Sequence, residues 1–165
     1  MIAVLLSILI SLVATTLFGY FIHWSLHQKW MGRFCKAHMT HHMILYPPED
    51  YTSEVYKHAG RDSTVYFFAV VSVPMILTPI VLGLLGILAW YLVVIVIVTE
   101  LLLGFIHNYL HDAFHIKNHW LNRLPVINTM FGEWNRLHYT HHVNMELNYG
   151  IFTFYWDRLF GTYKK

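Results

Sequence analysis

The sequence has little charge and almost no cysteine. Charged side chains make up 12% of its 165 residues, and the formal net charge is +2. The single cysteine, Cys35, excludes an intramolecular disulfide and a thiolate-rich zinc site. Carboxylates are too scarce for the Glu-x-x-His pairs of a soluble carboxylate-bridged bundle. No basic stripe is present either, so we expect no nucleic acid partner.

Hydrophobic residues are abundant instead, at 56% of the chain with a mean hydropathy of +0.45. This exceeds what the core of a soluble domain needs. Residues 1–22 carry no charged side chain and would extend about 33 Å as a helix, which matches a bilayer core. Residues 65–106 carry only Glu100, and at about 63 Å this run is long enough for two spans.

We therefore predict an all-α integral membrane bundle of about three transmembrane spans, forming a single domain over residues 1–165. The spans are expected at about residues 2–22, 65–82 and 86–106. A signal peptide is the alternative for the first run, but a basic segment before it is missing. The turn between the last two spans is expected near Pro79, Gly83 and Gly86.

Lysine and arginine predict the orientation of the bundle. All 11 lie within residues 29–61 and 117–165. Three spans place these two stretches on one side of the membrane, and the positive-inside tendency makes that side cytoplasmic. We expect a multi-pass integral membrane protein whose histidine-rich cap lies on the cytoplasmic side.

The histidines, 13 in number, are mostly arranged in four short motifs. Residues 36–42 read KAHMTHH and residues 136–142 read RLHYTHH. Each follows an HxxxH pair, and the second pair is ambiguous because two overlapping HxxxH patterns occur at residues 107–115. The candidate metal ligands are His23, His27, His38, His41, His42, His107, His111, His138, His141 and His142, with His115 as the alternative in the third motif.

The spacing of these motifs predicts a metal site. Residues three and four apart share one helix face, so each motif directs its rings into a small volume. A transition metal takes four to six ligands, so this set is large enough for two ions. One HxxxH alone would more often be an interfacial pair solvated by water and phosphates, whereas four ordered motifs favour metal.

Taken together, these motifs resemble the fatty acid hydroxylase/sterol desaturase superfamily of membrane histidine-box oxygenases. The resemblance covers residues 23–163 and includes Asn148-Tyr149-Gly150 and the WDRLFGT stretch at residues 156–162. It implies a non-haem centre of two Fe ions on the cytoplasmic face that uses O₂ and two electrons. The chain is shorter than most members, which usually carry a fourth span.

Imidazole alone does not identify the metal, and zinc is the alternative in isolated protein. Zinc has no redox couple, whereas attack on an unactivated C–H bond needs iron with oxygen. Two acids lie near the motifs. Glu100 lies two turns before His107 on one helix face, and we predict that it supports a ligand or relays protons. Asp112 is predicted to orient a ligating imidazole or to bind metal itself.

The predicted activity is O₂-dependent hydroxylation of a lipid, either a fatty acyl chain or a sterol-like substrate, that enters from the bilayer. Lipid desaturation or carotenoid ring hydroxylation is the alternative within the same chemistry. A membrane metal-binding or transport protein is the non-enzymatic alternative. It would need polar residues along the spans to form a path, whereas the predicted spans are apolar apart from Glu100 and a few serines and threonines. A haem subunit would need histidines inside facing spans. The resemblance implies a separate electron donor: a ferredoxin, a cytochrome b5-like protein or a reductase.

Overall fold

The computed structural model describes residues 1–58 and 64–165, with the side chains of α3 described from residue 72 onward. The end of the predicted basic stretch, at residue 61, therefore lies outside the described residues. The described chain is helical, which confirms the predicted all-α class, with one isolated bridge between Ser53 and Ile116. Its α-helices are α1 (Ile2–Leu26), α2 (Arg33–Thr40), α3 (Thr64–Leu84), α4 (Trp90–Phe114), α5 (Ile127–Val143) and α6 (Tyr155–Phe160).

Helices α1 and α4 are long and apolar enough to cross a membrane. Only 11% of the apolar window of α1 and 6% of that of α4 is buried inside the protein. The core helix of a soluble protein would be mostly buried, whereas here large apolar side chains such as Leu5, Leu102 and Phe105 face outward. These surfaces indicate a lipid environment. The described apolar part of α3, Ser72–Leu84, is shorter, so the third span stays a prediction.

A tight turn joins α3 to α4, and both α1 and α3 pack against α4. Gly83 allows the close approach, because a Cβ atom there would lie 2.9 Å from Val93 Cγ2. Gly86 adopts a positive φ of 71° just after α3 ends. Pro79, expected near the turn, lies inside α3, as does Pro74. The Thr78 hydroxyl donates to the Pro74 carbonyl one turn earlier at 2.8 Å.

The long helices continue past the predicted span ends and carry histidines with them. Helix α1 extends to Leu26 and α4 to Phe114. Helix α2 continues into a π turn, His41–Leu45, before the chain breaks at Tyr46-Pro47-Pro48. Helix α5 carries the fourth motif. The ends of α1, α2, α4 and α5 converge over an apolar cluster formed by Tyr51, Leu110, Ala113, Phe114, Leu121, Phe131 and Ile151.

Candidate metal centre

Nine imidazoles gather into two groups at this end of the bundle, and within each group the ligand atoms lie within 4.8 Å of one another. The first imidazole group contains His23, His27, His38, His42 and His141, and the second imidazole group contains His41, His115, His138 and His142. The two groups are adjacent, because the rings of His42 and His142 are 4.0 Å apart, centre to centre. The arrangement can hold two ions side by side.

The two HxxHH motifs divide their histidines between the groups in opposite ways. His38 and His42 enter the first group while His41 enters the second. The fourth motif reverses this: His138 and His142 enter the second group and His141 enters the first. Residues i and i+4 share a helix face, so the outer two histidines of each motif stay together.

A π turn follows α2 and contains His41 and His42. The Tyr46 backbone N–H donates to the His41 carbonyl at 2.9 Å, which closes a turn wider than that of an α-helix. Single π turns in α-helices are frequent at functional sites. In α5 the corresponding histidines lie on a regular helix.

The spacing of the ring nitrogens fits metal coordination. In the first group the Nε2 atoms of His141 and His27, His27 and His38, and His38 and His42 are 3.1, 3.0 and 3.1 Å apart. In the second group Nε2 of His138 lies 3.3 Å from Nε2 of His115. Two nitrogens bound at right angles to one ion at about 2.1 Å are about 3 Å apart.

Backbone carbonyls orient four of the imidazoles. The Nδ1–H groups of His23 and His141, in the first group, donate to the carbonyls of Tyr149 and Leu147 at 2.7 and 2.6 Å. In the second group, those of His142 and His115 donate to the carbonyls of Tyr46 and Tyr51 at 2.8 and 2.9 Å. A carbonyl only accepts, so the proton lies on Nδ1 and the Nε2 lone pair is available to a metal.

Each group is thus held by one loop. The loop after the second motif supplies Tyr46 and Tyr51 to the second group, and the loop after the fourth motif supplies Leu147 and Tyr149 to the first group. Backbone acceptors carry no signature in side-chain type, so sequence reasoning missed these four residues. Such outer partners fix the tautomer and ring orientation of metal ligands.

Burial keeps these imidazoles neutral. It lowers the pKa of His142 to about 3 and that of His27 to about 4. Burial, together with the neighbouring imidazoles, also lowers the pKa values of His38, His41, His42, His115, His138 and His141 well below the ordinary value. A neutral imidazole is the form that binds metal.

Several ring nitrogens are buried without a hydrogen-bond partner among the described residues. The Nε2 atoms in this condition belong to His23, His41, His111 and His142. A buried polar atom without a partner is costly, and a metal ion would take up these lone pairs. The donor set therefore fits a transition metal that accepts nitrogen ligands.

The third motif divides between two places. His111 lies beside the second group, with its ring 4.8 Å from that of His41 and 5.0 Å from that of His138. His115 belongs to the second group, whereas His107 belongs to neither. His107 packs against Gly19 of α1, where an added Cβ would lie 3.3 Å from its Cε1. It lines a cavity between helices.

The two predicted acids occupy different surroundings. Asp112 Oδ1 lies 3.4 Å from His111 Nδ1, and the Tyr56 side chain bonds to the same carboxylate. Glu100 instead lines the cavity that contains His107 and is not a member of either imidazole group. Asp112 thus contacts His111, whereas Glu100 borders the cavity between the helices.

Asp157, in the WDRLFGT stretch, contacts the loop that holds the first imidazole group. Its carboxylate is fully buried and accepts hydrogen bonds from the backbone N–H groups of Tyr149 and Gly150 at 2.7 and 3.0 Å and from the Thr162 hydroxyl at 2.9 Å. Tyr149 in turn accepts from His23. No sequence motif connects Asp157 with the candidate ligands, so sequence reasoning missed this contact.

Two histidines have other surroundings. His119 caps the short helix Trp120–Arg123: its Nδ1 accepts from the Leu121 backbone N–H at 3.3 Å, and its Nε2 lies 3.2 Å from the Tyr109 hydroxyl. His58 is exposed. Neither is placed in an imidazole group.

The fold and the site define a helical membrane protein with a histidine-rich centre able to bind metal. The sequence model of the fatty acid hydroxylase family matches residues 8–162, and the chain belongs to this family. This confirms the resemblance seen in the motifs. Comparisons with curated proteins and with solved structures found no match.

Proposed function

We propose that the protein is an O₂-dependent lipid hydroxylase with a di-iron centre. The observation that carries the proposal is the pair of adjacent, buried, all-nitrogen imidazole groups next to an apolar cavity between lipid-exposed helices. Membership of the fatty acid hydroxylase family supports an oxidoreductase of that type. In the net reaction one oxygen atom of O₂ enters a C–H bond and the other leaves as water, with two electrons and two protons consumed.

The chain itself would hold the two irons. The first imidazole group would hold one iron, and the second group together with His111 would hold the other. Bound there, iron supplies the redox couple and oxygen activation that attack on an unactivated C–H bond requires.

The chain's own groups would orient the ligands, keep them neutral and hold the lipid. The loop carbonyls keep each Nε2 lone pair aimed inward, and burial keeps the rings neutral. Asp112 orients His111 through its Nδ1, with the Tyr56 side chain as a further partner. The apolar walls of the neighbouring cavity hold the lipid and exclude water from the site.

The membrane arrangement is part of the same proposal. We take residues 1–165 as one domain with three spans, formed by α1, α3 and α4, and place the imidazole groups on the cytoplasmic side. A separate ferredoxin, cytochrome b5-like protein or reductase would supply the two electrons at that face. The lipid would enter sideways from the bilayer.

The test is product analysis under labelled oxygen. Protein loaded with iron is placed in vesicles of total membrane lipid with a ferredoxin, its reductase and ¹⁸O₂, and the lipids are examined by mass spectrometry. We expect a lipid that gains one ¹⁸O atom in wild type, and no such product from the His141→Ala/His142→Ala double variant.

Two outcomes would contradict the proposal. A product that has lost two hydrogens and gained no oxygen would indicate desaturation. Two zinc ions per chain that iron cannot displace, with no oxygen-dependent product, would indicate a metal-binding protein without oxygenase activity.

A further inference from the structure

Helices α1, α3 and α4 line a cavity of about 350 Å³. Its walls are mainly apolar, and His107 and Gly19, which pack together, line it one helical turn before His111 on α4 and His23 on α1. The size lies within the range of sites that bind small lipids and drug-sized molecules. Its apolar lining includes Phe18, Met75, Ile76, Leu101 and Phe105.

Thr15, Ser72, His107 and Asn108 contribute polar groups to this wall, and Glu100 is the one acid among its described lining residues. Glu100 lines the cavity, and its Oε2 atom is buried without a hydrogen-bond partner among the described residues. An acid within an apolar helix is costly and is usually retained for a function. Among the described residues that line the cavity there is no lysine or arginine that could form an ion pair with Glu100.

Glu100 shares a helix face with the residues that lead to the metal centre. Gly104 follows one turn later and His107 two turns later, and all three line the cavity. At about 1.5 Å per residue, Glu100 lies about 10 Å along α4 from His107. A ligand that pairs with Glu100 and lies along the face of α4 toward His107 would extend its hydrocarbon part toward the imidazole groups.

We propose that the cavity binds a lipid alcohol whose hydroxyl group pairs with Glu100, so that the substrate class is a long apolar molecule with a buried hydroxyl rather than a plain hydrocarbon chain. A hydroxyl both donates and accepts, so it pairs with a carboxyl group in either protonation state. This inference rests on the proposed function for the identity of the cavity as the substrate site. Glu100 would then be a specificity-determining residue.

Gly104 offers a way to close the cavity without disturbing the backbone. A Cβ atom added there would meet no atom within 4 Å, and the residue lies within regular helix. Gly104→Leu should therefore fill the cavity, while Gly104→Ala should leave most of it open. Gly104 belongs to neither imidazole group, so both substitutions should leave the metal content unchanged.

The experiment is a competition between two probes. Iron-loaded protein in detergent is incubated with equimolar deuterated hexadecanol and hexadecane, separated from excess probe, extracted, and quantified by gas chromatography and mass spectrometry. Retention by Gly104→Leu supplies the background from the micelle. We expect wild type to retain the alcohol about 10- to 100-fold over the alkane, the size of effect expected when a buried polar group keeps or loses its partner.

The Glu100 variants test the assigned contact. Glu100→Leu should abolish the preference for alcohol and still bind alkane, whereas Glu100→Gln, which keeps a donor and an acceptor, should retain a preference. Gly104→Ala should behave as wild type. Equal retention of the two probes by wild type, an unchanged preference in Glu100→Leu, or equal binding in Gly104→Leu and wild type would each overturn the inference.

The binding assay and the oxygenation assay distinguish a failure of the Glu100 assignment from a failure of the proposed oxygenase activity. Selective alcohol binding without any ¹⁸O-labelled product would leave the cavity assignment standing and count against the proposed oxygenase. Oxygenated products formed equally from alcohol and alkane would support the oxygenase and overturn the role of Glu100.

Discussion

Individual histidines at this site belong to different imidazole groups, although the motifs that contain them look alike. His141 lies in the first imidazole group and His115 in the second. Each ring donates from Nδ1 to a carbonyl of a different loop. A single substitution should therefore affect one ion more than the other.

His141→Ala and His115→Ala should each reduce iron from about two ions per chain to about one, because each removes an Nε2 ligand from a different group. Metal analysis after iron loading measures this, and His58→Ala is the control, since His58 is exposed and outside the groups. Loss of both ions in each variant, with the fold intact by circular dichroism, would contradict the division into two groups.

Asp157→Asn should weaken the first group selectively. The amide replaces an oxygen that accepts from the backbone N–H of Tyr149 or Gly150, and Tyr149 is the acceptor for His23. We expect about 10- to 100-fold weaker retention of one ion and little change in the other. Release to a chelator followed over time would show one fast and one slow phase.

Thr162→Val is the control for Asp157, because it removes one hydrogen bond to the same carboxylate, together with the contact to the Tyr20 hydroxyl at 3.1 Å, and leaves both backbone contacts. The rate of its fast phase of metal release should lie between the rates of wild type and of Asp157→Asn. If both ions leave faster in equal proportion, Asp157 stabilises the fold in general rather than the first group.

At the scale of helices, α3 and α4 approach each other closely at the end of the bundle that carries the turn between them. Val93 is buried, and Gly83 provides the space opposite it. Gly104, on the same helix as Val93, faces open space. These two glycines should respond in opposite ways to the same added methyl group.

Gly83→Ala should destabilise the protein by about 1–3 kcal/mol, because its Cβ would lie 2.9 Å from Val93 Cγ2 and force the helices apart. Gly104→Ala should be neutral or should stabilise by about 0.5–1 kcal/mol through the helix preference of alanine. Thermal unfolding in detergent compares the two. A larger loss in Gly104→Ala than in Gly83→Ala would contradict the packing described.

At the scale of the whole molecule, the orientation in the membrane can be tested with the native cysteine. Cys35 lies on α2, is partly exposed, and is the single cysteine of the sequence. A membrane-impermeant maleimide should label it in inverted vesicles and not in intact cells if the imidazole groups face the cytoplasm.

The matched control moves the cysteine to the other end of the bundle. Leu85 lies in the exposed turn after α3, so the double variant Cys35→Ser/Leu85→Cys should show the opposite labelling pattern. Labelling of both positions from the same side would contradict the single span, α3, that we predict between Cys35 and Leu85.

The pH dependence of stability should reflect the buried imidazoles. The pKa values of His27 and His142 are lowered to about 4 and about 3 in the folded chain, against an ordinary 6.5. Below pH 6.5 these histidines bind protons in the unfolded chain and stay neutral in the folded chain. The stability that they contribute is therefore fully present above pH 6.5 and decreases as the pH falls toward 4. Each such group contributes about 1.4 kcal/mol per pH unit in this window.

Thermal midpoints of metal-free protein between pH 7.5 and 4 measure this effect. The His27→Gln/His142→Gln variant should show a shallower decline, because glutamine does not titrate. A decline of equal slope in both proteins would assign the acid sensitivity to other groups.

The residue types at the site and their grouping in motifs followed from the sequence, because the spacing of three and four residues acts locally on a helix. The helical class and the family were also predictable, since long apolar runs and the order of the motifs are written in the chain. The exact helix ends were not, because α1 and α4 continue as long as packing and backbone hydrogen bonding allow.

Only the tertiary structure decided how the histidines divide between two groups, why His107 lines a cavity while His115 joins a group, and which carbonyls hold the rings. The hydrogen bond from His23 to Tyr149 joins residues 126 positions apart. Contacts of this kind depend on where distant helices meet, and backbone acceptors have no side-chain signature. Local spacing therefore determined the chemistry available, and long-range packing decided its arrangement.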